Sequence, residues 1–268
     1  MIELLLPESP ELVPFIEALT VELPPVGADI VRVPMDAAAW RLRENACDAA
    51  FVSPVTYALS EGEVSLVGGA VCASVGAMHE ALLVFRGGLE RIATLAVPAT
   101  GTLDSMLAQI VLREKYDMHP VVTVSQAPWR EALATHEAVL VTGDALQELS
   151  MQSPALDLGD EWYDMTQLPL VRGVVGGWNH RLTADFADAV QRAASEADRH
   201  ALLALQAASD GRLSPDEMHL IPPHRRFLMD DDVREALDAF FRFAFYHGLH
   251  RDIPTFSIWS PEQGDAAS

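Results

Sequence analysis

Four short polar stretches hold the residues of this sequence best suited to chemistry, and each ends an apolar run and opens a helix-like pattern. Glu8 and Ser9 follow IELLL at 2–6, and Ser53, Pro54 and Tyr57 follow DAAFV at 48–52. Thr100, Gly101 and Thr102 follow IATLAV at 92–97, and Asp144 follows AVLVTG at 138–143. Hydroxyls and backbone N–H groups at the start of a helix suit an anion, because the helix presents its positive end there. A carboxylate in the same place suits proton transfer. Taken singly, each of these residues reads as a helix cap, the common use of Ser, Thr and Asp. Taken together they read as a site, since ligands of open α/β sheets lie beyond the carboxyl ends of the strands.

Other constellations are weaker. His247 and His250 in HGLH have helical spacing, yet no acid or Cys stands with them in a metal pattern, so they read as groups that complement the end of a helix. His79-Glu80, His180, His219 and His224 lie scattered, and PPHRR at 222–226 reads as a solvated basic loop. No nucleophile elbow, P-loop or dinucleotide fingerprint occurs; Gly68-Gly69 and Gly176-Gly177 lack the third glycine. Trp162, Trp178 and Trp259 read as core packing. Cys47 and Cys72, the only cysteines, sit in apolar surroundings and read as buried free thiols.

The elements that must position the four loops alternate between strand and helix, which predicts parallel α/β layers. DIVRV at 29–33, SLVGGAV at 65–71 and ALLVF at 81–85 add strands to those above, and PVVTV at 120–124 adds another after the Gly87-Gly88 break. The pattern restarts near 88, and PLVRGVV at 169–175 is the return strand. The expectation is an α/β chain of two lobes, residues 1–87 with 176–268 and residues 88–175, with a ligand cleft between them. The last third is helical, with Thr183 as an N-cap, a capping box at Ser214-Pro-Asp-Glu217 and an amphipathic helix over DDDVREALDAFFRFAFYHGL. PTFSIW at 254–259 is a final strand.

Half of the 268 residues are hydrophobic and the formal net charge is −21. That charge would repel phosphate backbones, so nucleic acid and anionic membranes are excluded as partners. Lys115 is the only lysine, and the spread of acids suggests either a surface adapted to high salt or an Arg-biased genome. No run is long and apolar enough for a membrane span, and MIELLLPESPEL has no basic start, so a signal peptide is not expected and the cytoplasm is.

CDAAFVSPVTYAL at 47–59, AVLVTGDAL at 138–146 and DLGDEWYDMTQLPLV at 157–171 resemble the chorismate dehydratase (MqnA) family of the futalosine route to menaquinone. The resemblance implies a type II periplasmic-binding-protein fold in the cytoplasm. It also implies a lyase that removes water from chorismate to give 3-[(1-carboxyvinyl)oxy]benzoate, with no metal or redox cofactor. Glu8 and Glu80 are the base candidates, beside the substrate's own carboxylate. The residues of the four loops would hold the substrate, with Thr100, Gly101 and Thr102 on a carboxylate. The chain departs from the family pattern in reading Pro7-Glu8-Ser9-Pro10 for an Asn-x-x-Pro loop and Thr100-Gly-Thr-Leu-Asp104-Ser105 for Ser-x-Thr-Ser. It also carries Glu80 where Ser is usual. The sister cyclic dehypoxanthine futalosine lyase (MqnD) has a loop similar to Val97–Thr102, but its Ile-His-Glu tract is replaced here by Val141-Thr-Gly-Asp-Ala. A third alternative, of another class, is a protein of this fold that binds a small carboxylate or aromatic ligand without turnover.

Overall fold

A computed structural model of the chain describes residues 1–60, 62–89, 91–149, 154–209 and 225–262. The chain divides into two compact units, one of Met1–Ser74, Val171–Arg234 and Pro254–Ser268, the other of Val75–Leu170 and Glu235–Ile253.

The first unit is built on a six-stranded sheet of β1 (Ile2–Leu6), β2 (Ala28–Arg32), β3 (Ala49–Val52), β4 (Val64–Ser74), β10 (Leu170–Trp178) and β11 (Arg225–Leu228), in the order β11-β4-β10-β3-β1-β2. β1 is parallel to β2, with Leu6 opposite Arg32, and parallel to β3, so three carboxyl ends emerge side by side. Continuous apolar runs such as AAFV of β3, buried at every position, suit strands covered on both faces. Helix α1 (Val13–Glu22) packs on α7 (Ala184–Ser209), whose Phe186, Val190, Ala193 and Ala197 form one buried stripe at helical spacing. Phe15 and Phe227 stack in this core at 6.0 Å. Thr183 caps α7 as expected, its Oγ1 accepting the Phe186 N–H at 3.3 Å. Gly68 allows α7 to lie against β4: at its φ of +59° a Cβ would come within 2.5 Å of the Ala187 carbonyl. The glycine pair is thus a packing device.

The second unit holds a five-stranded sheet of β5 (Ala81–Phe85), β6 (Thr94–Val97), β7 (Val121–Val124), β8 (Ala138–Thr142) and β9 (Ala155–Asp157), in the order β7-β6-β8-β5-β9. β6 is parallel to β7 and β8, whereas β5 is antiparallel to β8 and β9. The helices are α4 (Leu103–Glu114), α5 (Trp129–Thr135), α6 (Leu158–Thr166) and the larger part of α8 (Asp231–Tyr246). Trp162 is fully buried against Phe240 and Phe243, and its indole donates to the Pro169 carbonyl at 3.1 Å.

The units differ from the expected lobes at both ends. β5 belongs to the second sheet, because its backbone pairs antiparallel with β8 from Ala81↔Thr142 to Phe85↔Ala138, and Gly87-Gly88 follows β5 instead of dividing the units. Residues 235–253 also belong to the second unit, since α8 supplies the aromatic cover of Trp162. PTFSIW forms a single bridge, Leu66↔Ile258, rather than a strand. The capping box expected at Ser214–Glu217 lies outside the described residues, as do His219 and His224. Cys47 and Cys72 are buried and form no disulfide, and burial pushes the Cys47 thiol up to about 11.

Candidate functional site

In the first unit the parallel strands β1 and β2 end beside one another, and the chain after each lines a cavity of about 410 Å³. Pro7, Glu8 and Ser9 form one side and Arg32 to Met35 the other. Ser9 stands at the start of a short 3-10 turn, Pro10–Leu12, but makes no side-chain cap bond there. Glu8 and Arg32 are exposed and bear opposite charge, yet they form no ion pair with each other or with any other group among the described residues. Arg32 is the last residue of β2 and lies inside the run DIVRV, so a rule that selects the residues after a strand does not reach it.

After β3, Ser53 caps the short helix α3 (Pro54–Ala58), its Oγ accepting the Thr56 N–H at 3.1 Å and meeting the Thr56 hydroxyl at 3.0 Å. Pro54 is buried at the first helical position. Tyr57 was expected to face a ligand and does not. One turn into α3 it points to the core, where it stacks on Phe256 at 5.1 Å and its hydroxyl donates to the Val64 carbonyl at 3.2 Å. Burial pushes the phenol up to about 12.

In the second unit, Thr102 is the N-cap of α4. Its Oγ1 accepts the Ser105 N–H at 3.2 Å, and the Ser105 Oγ accepts the Thr102 N–H at 3.2 Å, a reciprocal capping box. Thr100 and Gly101 are exposed ahead of it, and Gly101 has a φ of +73° with open space where a Cβ would lie. Asp144 is exposed at the start of the 3-10 turn Gly143–Glu148 after β8. Glu80 comes from the other direction: the antiparallel register Ala81↔Thr142 sets it beside that turn, at the carboxyl end of β8. The sheet thus brings Glu80, Asp144 and the Thr100–Thr102 loop to one end of its strands.

Another cavity of the second unit, also about 410 Å³, opens where β6, β7 and β8 end and is lined by Pro98, Gln126, Trp129, Ala132 and Thr142 among others. Gln126 ties two of its loops together by donating to the Pro98 carbonyl at 2.7 Å. Thr100, Gly101, Thr102 and Asp144 do not line this cavity.

The D-L-G segment is structural. Asp157 caps α6, accepting the Gly159 N–H at 2.9 Å, and also accepts the N–H groups of Met78 and His79. His247 pairs with Glu114 at 2.6 Å and His250 with Asp252 at 3.2 Å, so each histidine of HGLH has its own partner. Among the described residues no three His, Cys, Asp or Glu gather as metal ligands.

A family model described as menaquinone biosynthesis (VitK2_biosynth) matches residues 8–246. No curated protein matches the chain in sequence. In structure the chain is similar to protein AF1704 from Archaeoglobus fulgidus, at 17% identity and a TM-score of 0.63 over 93% of this chain and 98% of that one. It is also similar to the periplasmic aliphatic sulphonate binding protein SsuA from Escherichia coli, at 13% identity and a TM-score of 0.61 over 97% and 92%. A third likeness is to the ligand-binding component of an ABC-type import system from Staphylococcus aureus, at 12% identity and a TM-score of 0.61 over 100% and 98%. These likenesses show the fold, the α/β fold of periplasmic solute-binding proteins.

Proposed function

Because the chain belongs to the menaquinone-biosynthesis family, whose model matches residues 8–246, we propose that it is a lyase that eliminates water from chorismate. The family match carries this reading, and it spans the loops after β1, β3, β6 and β8. The C–H bond at the ether-bearing ring carbon breaks, its electron pair becomes a ring double bond, and the neighbouring C–O bond breaks to release water. The product is 3-[(1-carboxyvinyl)oxy]benzoate, and the gain of aromaticity supplies most of the driving force. Such an elimination asks the protein for a proton acceptor, a group that helps the hydroxyl leave, and donors that hold two carboxylates. Glu8 and Glu80 are the acceptors on offer besides the substrate itself. The exposed Thr100–Gly101 backbone at the start of α4 suits a carboxylate. A cytoplasmic location goes with this reading, as the resemblance implies. Among the described residues no helix is long and apolar enough to cross a membrane.

The test is incubation of the purified protein with chorismate, followed by mass spectrometry. A single product lighter by one water is expected. Glu8→Gln or Glu80→Gln should lower kcat by about a hundredfold or more, whichever residue takes the proton. Chorismate recovered intact would reject the lyase. A second reading, binding without turnover, is favoured by three hydroxyls already engaged inside the protein, those of Ser53, Tyr57 and Thr102. Chorismate that binds by calorimetry and is recovered unchanged would select it.

A further inference from the structure

The cations of this chain are outnumbered, 18 Lys and Arg against 39 Asp and Glu, and several arginines close on a carboxylate, although Arg43 and Arg242 form no ion pair among the described residues. Arg130 pairs with Glu148 at 3.1 Å, Arg181 with Asp48 at 3.3 Å, Arg192 with Glu22 at 2.7 Å and Arg226 with Asp230 at 2.9 Å. Arg32 has no such partner among the described residues, although Glu8 lines the same cavity. An arginine and a glutamate that share a cavity without closing on each other leave room for something between them. Ser9 adds a hydroxyl that is not spent on capping its turn. All three lie at the carboxyl ends of two adjacent parallel strands, Leu6 opposite Arg32, where the backbone fixes their spacing.

We infer that Arg32 is the carboxylate anchor of a small-molecule site in the first unit, and that its ligand carries a hydroxyl group beside the carboxylate. The guanidinium offers two parallel N–H donors to the carboxylate, a geometry that lysine cannot match. Ser9 donates to the same anion. Glu8 accepts a hydrogen bond from the ligand's hydroxyl, and repels a second carboxylate placed there. The cavity of about 410 Å³ has the size of a small-molecule pocket and admits a ligand of one substituted six-membered ring. This deepens the proposed reading and rests on it for the name of the substrate, because chorismate carries both groups. The binding chemistry is testable without turnover.

The test is calorimetric titration of the whole protein with 3-hydroxybenzoate, benzoate and the uncharged methyl 3-hydroxybenzoate. The wild type should bind 3-hydroxybenzoate and bind the methyl ester at least about tenfold more weakly. A hydrogen bond to a charged group is lost in Arg32→Ala and Arg32→Gln, so both should bind 3-hydroxybenzoate about ten- to a hundredfold more weakly. Arg32→Lys should recover part of the loss. Glu8→Gln should narrow the preference for 3-hydroxybenzoate over benzoate. Arg32 is exposed, and unchanged circular dichroism and melting temperature should show each variant folded. Wild-type affinity in both Arg32→Ala and Arg32→Gln, equal affinity for the ester, or no binding of any probe by the wild type would each overturn the inference. Loss of water from chorismate with wild-type kinetics in Arg32→Ala would leave the lyase standing and this anchor refuted. Arg32-dependent binding with chorismate recovered intact would do the reverse.

Discussion

Asp157 holds the backbone of His79 from 78 positions away, its Oδ2 accepting the His79 N–H at 2.6 Å. The same carboxylate accepts the Met78 N–H at 3.2 Å and the first N–H groups of α6. One side chain therefore fixes the loop that delivers Glu80 to the head of β5 and starts a helix. Asp157→Ala leaves these donors without an acceptor, and a hydrogen bond to a charged group is worth about 1.5–3 kcal/mol. The expected result is a loss of about 2–4 kcal/mol in urea unfolding, with Asp157→Asn losing less because its carbonyl still caps. A loss below about 0.5 kcal/mol in the alanine variant would show that the loop holds itself.

Tyr57 makes stability fall in alkali. Its phenol is pushed up to about 12 by burial, from an unfolded value of about 10. The unfolded chain therefore gives up its proton first, so the stabilisation is complete below pH 10 and is lost as pH rises through about 12. A rise of that size corresponds to about 3 kcal/mol. Tyr57→Phe should cost about 1 kcal/mol at neutral pH, through the lost bond to the Val64 carbonyl, and that deficit should shrink from pH 10 upward. Denaturant midpoints of both proteins between pH 8 and 11 test this, and parallel curves would refute it. Tyr116 is also pushed up to about 12, by burial and by its bond to Glu161, so two phenols should titrate late by tyrosinate absorbance in the wild type and one in Tyr57→Phe.

The surface charge makes a separate demand. At a formal −21 the folded chain repels itself, and salt screens that repulsion within about 10 Å at 0.1 M. The melting temperature should rise from low to molar NaCl. Sucrose strengthens burial without screening, so the rise in salt should exceed the rise in sucrose of matched osmolality. Equal gains in the two would remove screening as the cause.

Strand order explains which parts of this organisation the sequence reveals. IELLL, DAAFV, IATLAV and AVLVTG hold strands because each contains a short apolar core, LLL, AAFV, LAV and AVLV, that is buried on both faces, and the polar residues after them lie at or just past the strand ends. A run such as ALLVF says that it is a strand but not which strand it meets, so its membership of the second sheet emerged only from its antiparallel pairing with β8. Tyr57 shows a second limit. Five residues past the end of β3 the chain has turned through one helical turn, and a side chain chosen for its distance from the strand faces inward. Arg32 shows a third: an apolar strand that ends in a charged residue looks ordinary until its register with β1 places it over Glu8 and Ser9.

The loop between β6 and α4 separates capping from binding at neighbouring residues. Thr102 is committed to the capping box with Ser105, so Thr102→Ala should lower stability by about 0.5–2 kcal/mol. Thr100 lies outside the box and is exposed, so Thr100→Ala should change stability by less than about 0.5 kcal/mol. If this loop holds a carboxylate, Thr100→Ala should still weaken the binding of chorismate, by about ten- to a hundredfold for a lost charge-assisted bond. Gly101 distinguishes the backbone from the side chains. Its φ of +73° is costly for any residue with a Cβ, but the space around that Cβ is open, so Gly101→Ala acts by turning the peptide groups and not by filling a pocket. A variant that folds, melts a few degrees lower and loses affinity would show that the N–H groups of the turn carry the anion. Wild-type affinity in Thr100→Ala, Thr102→Ala and Gly101→Ala together would leave the loop a helix cap.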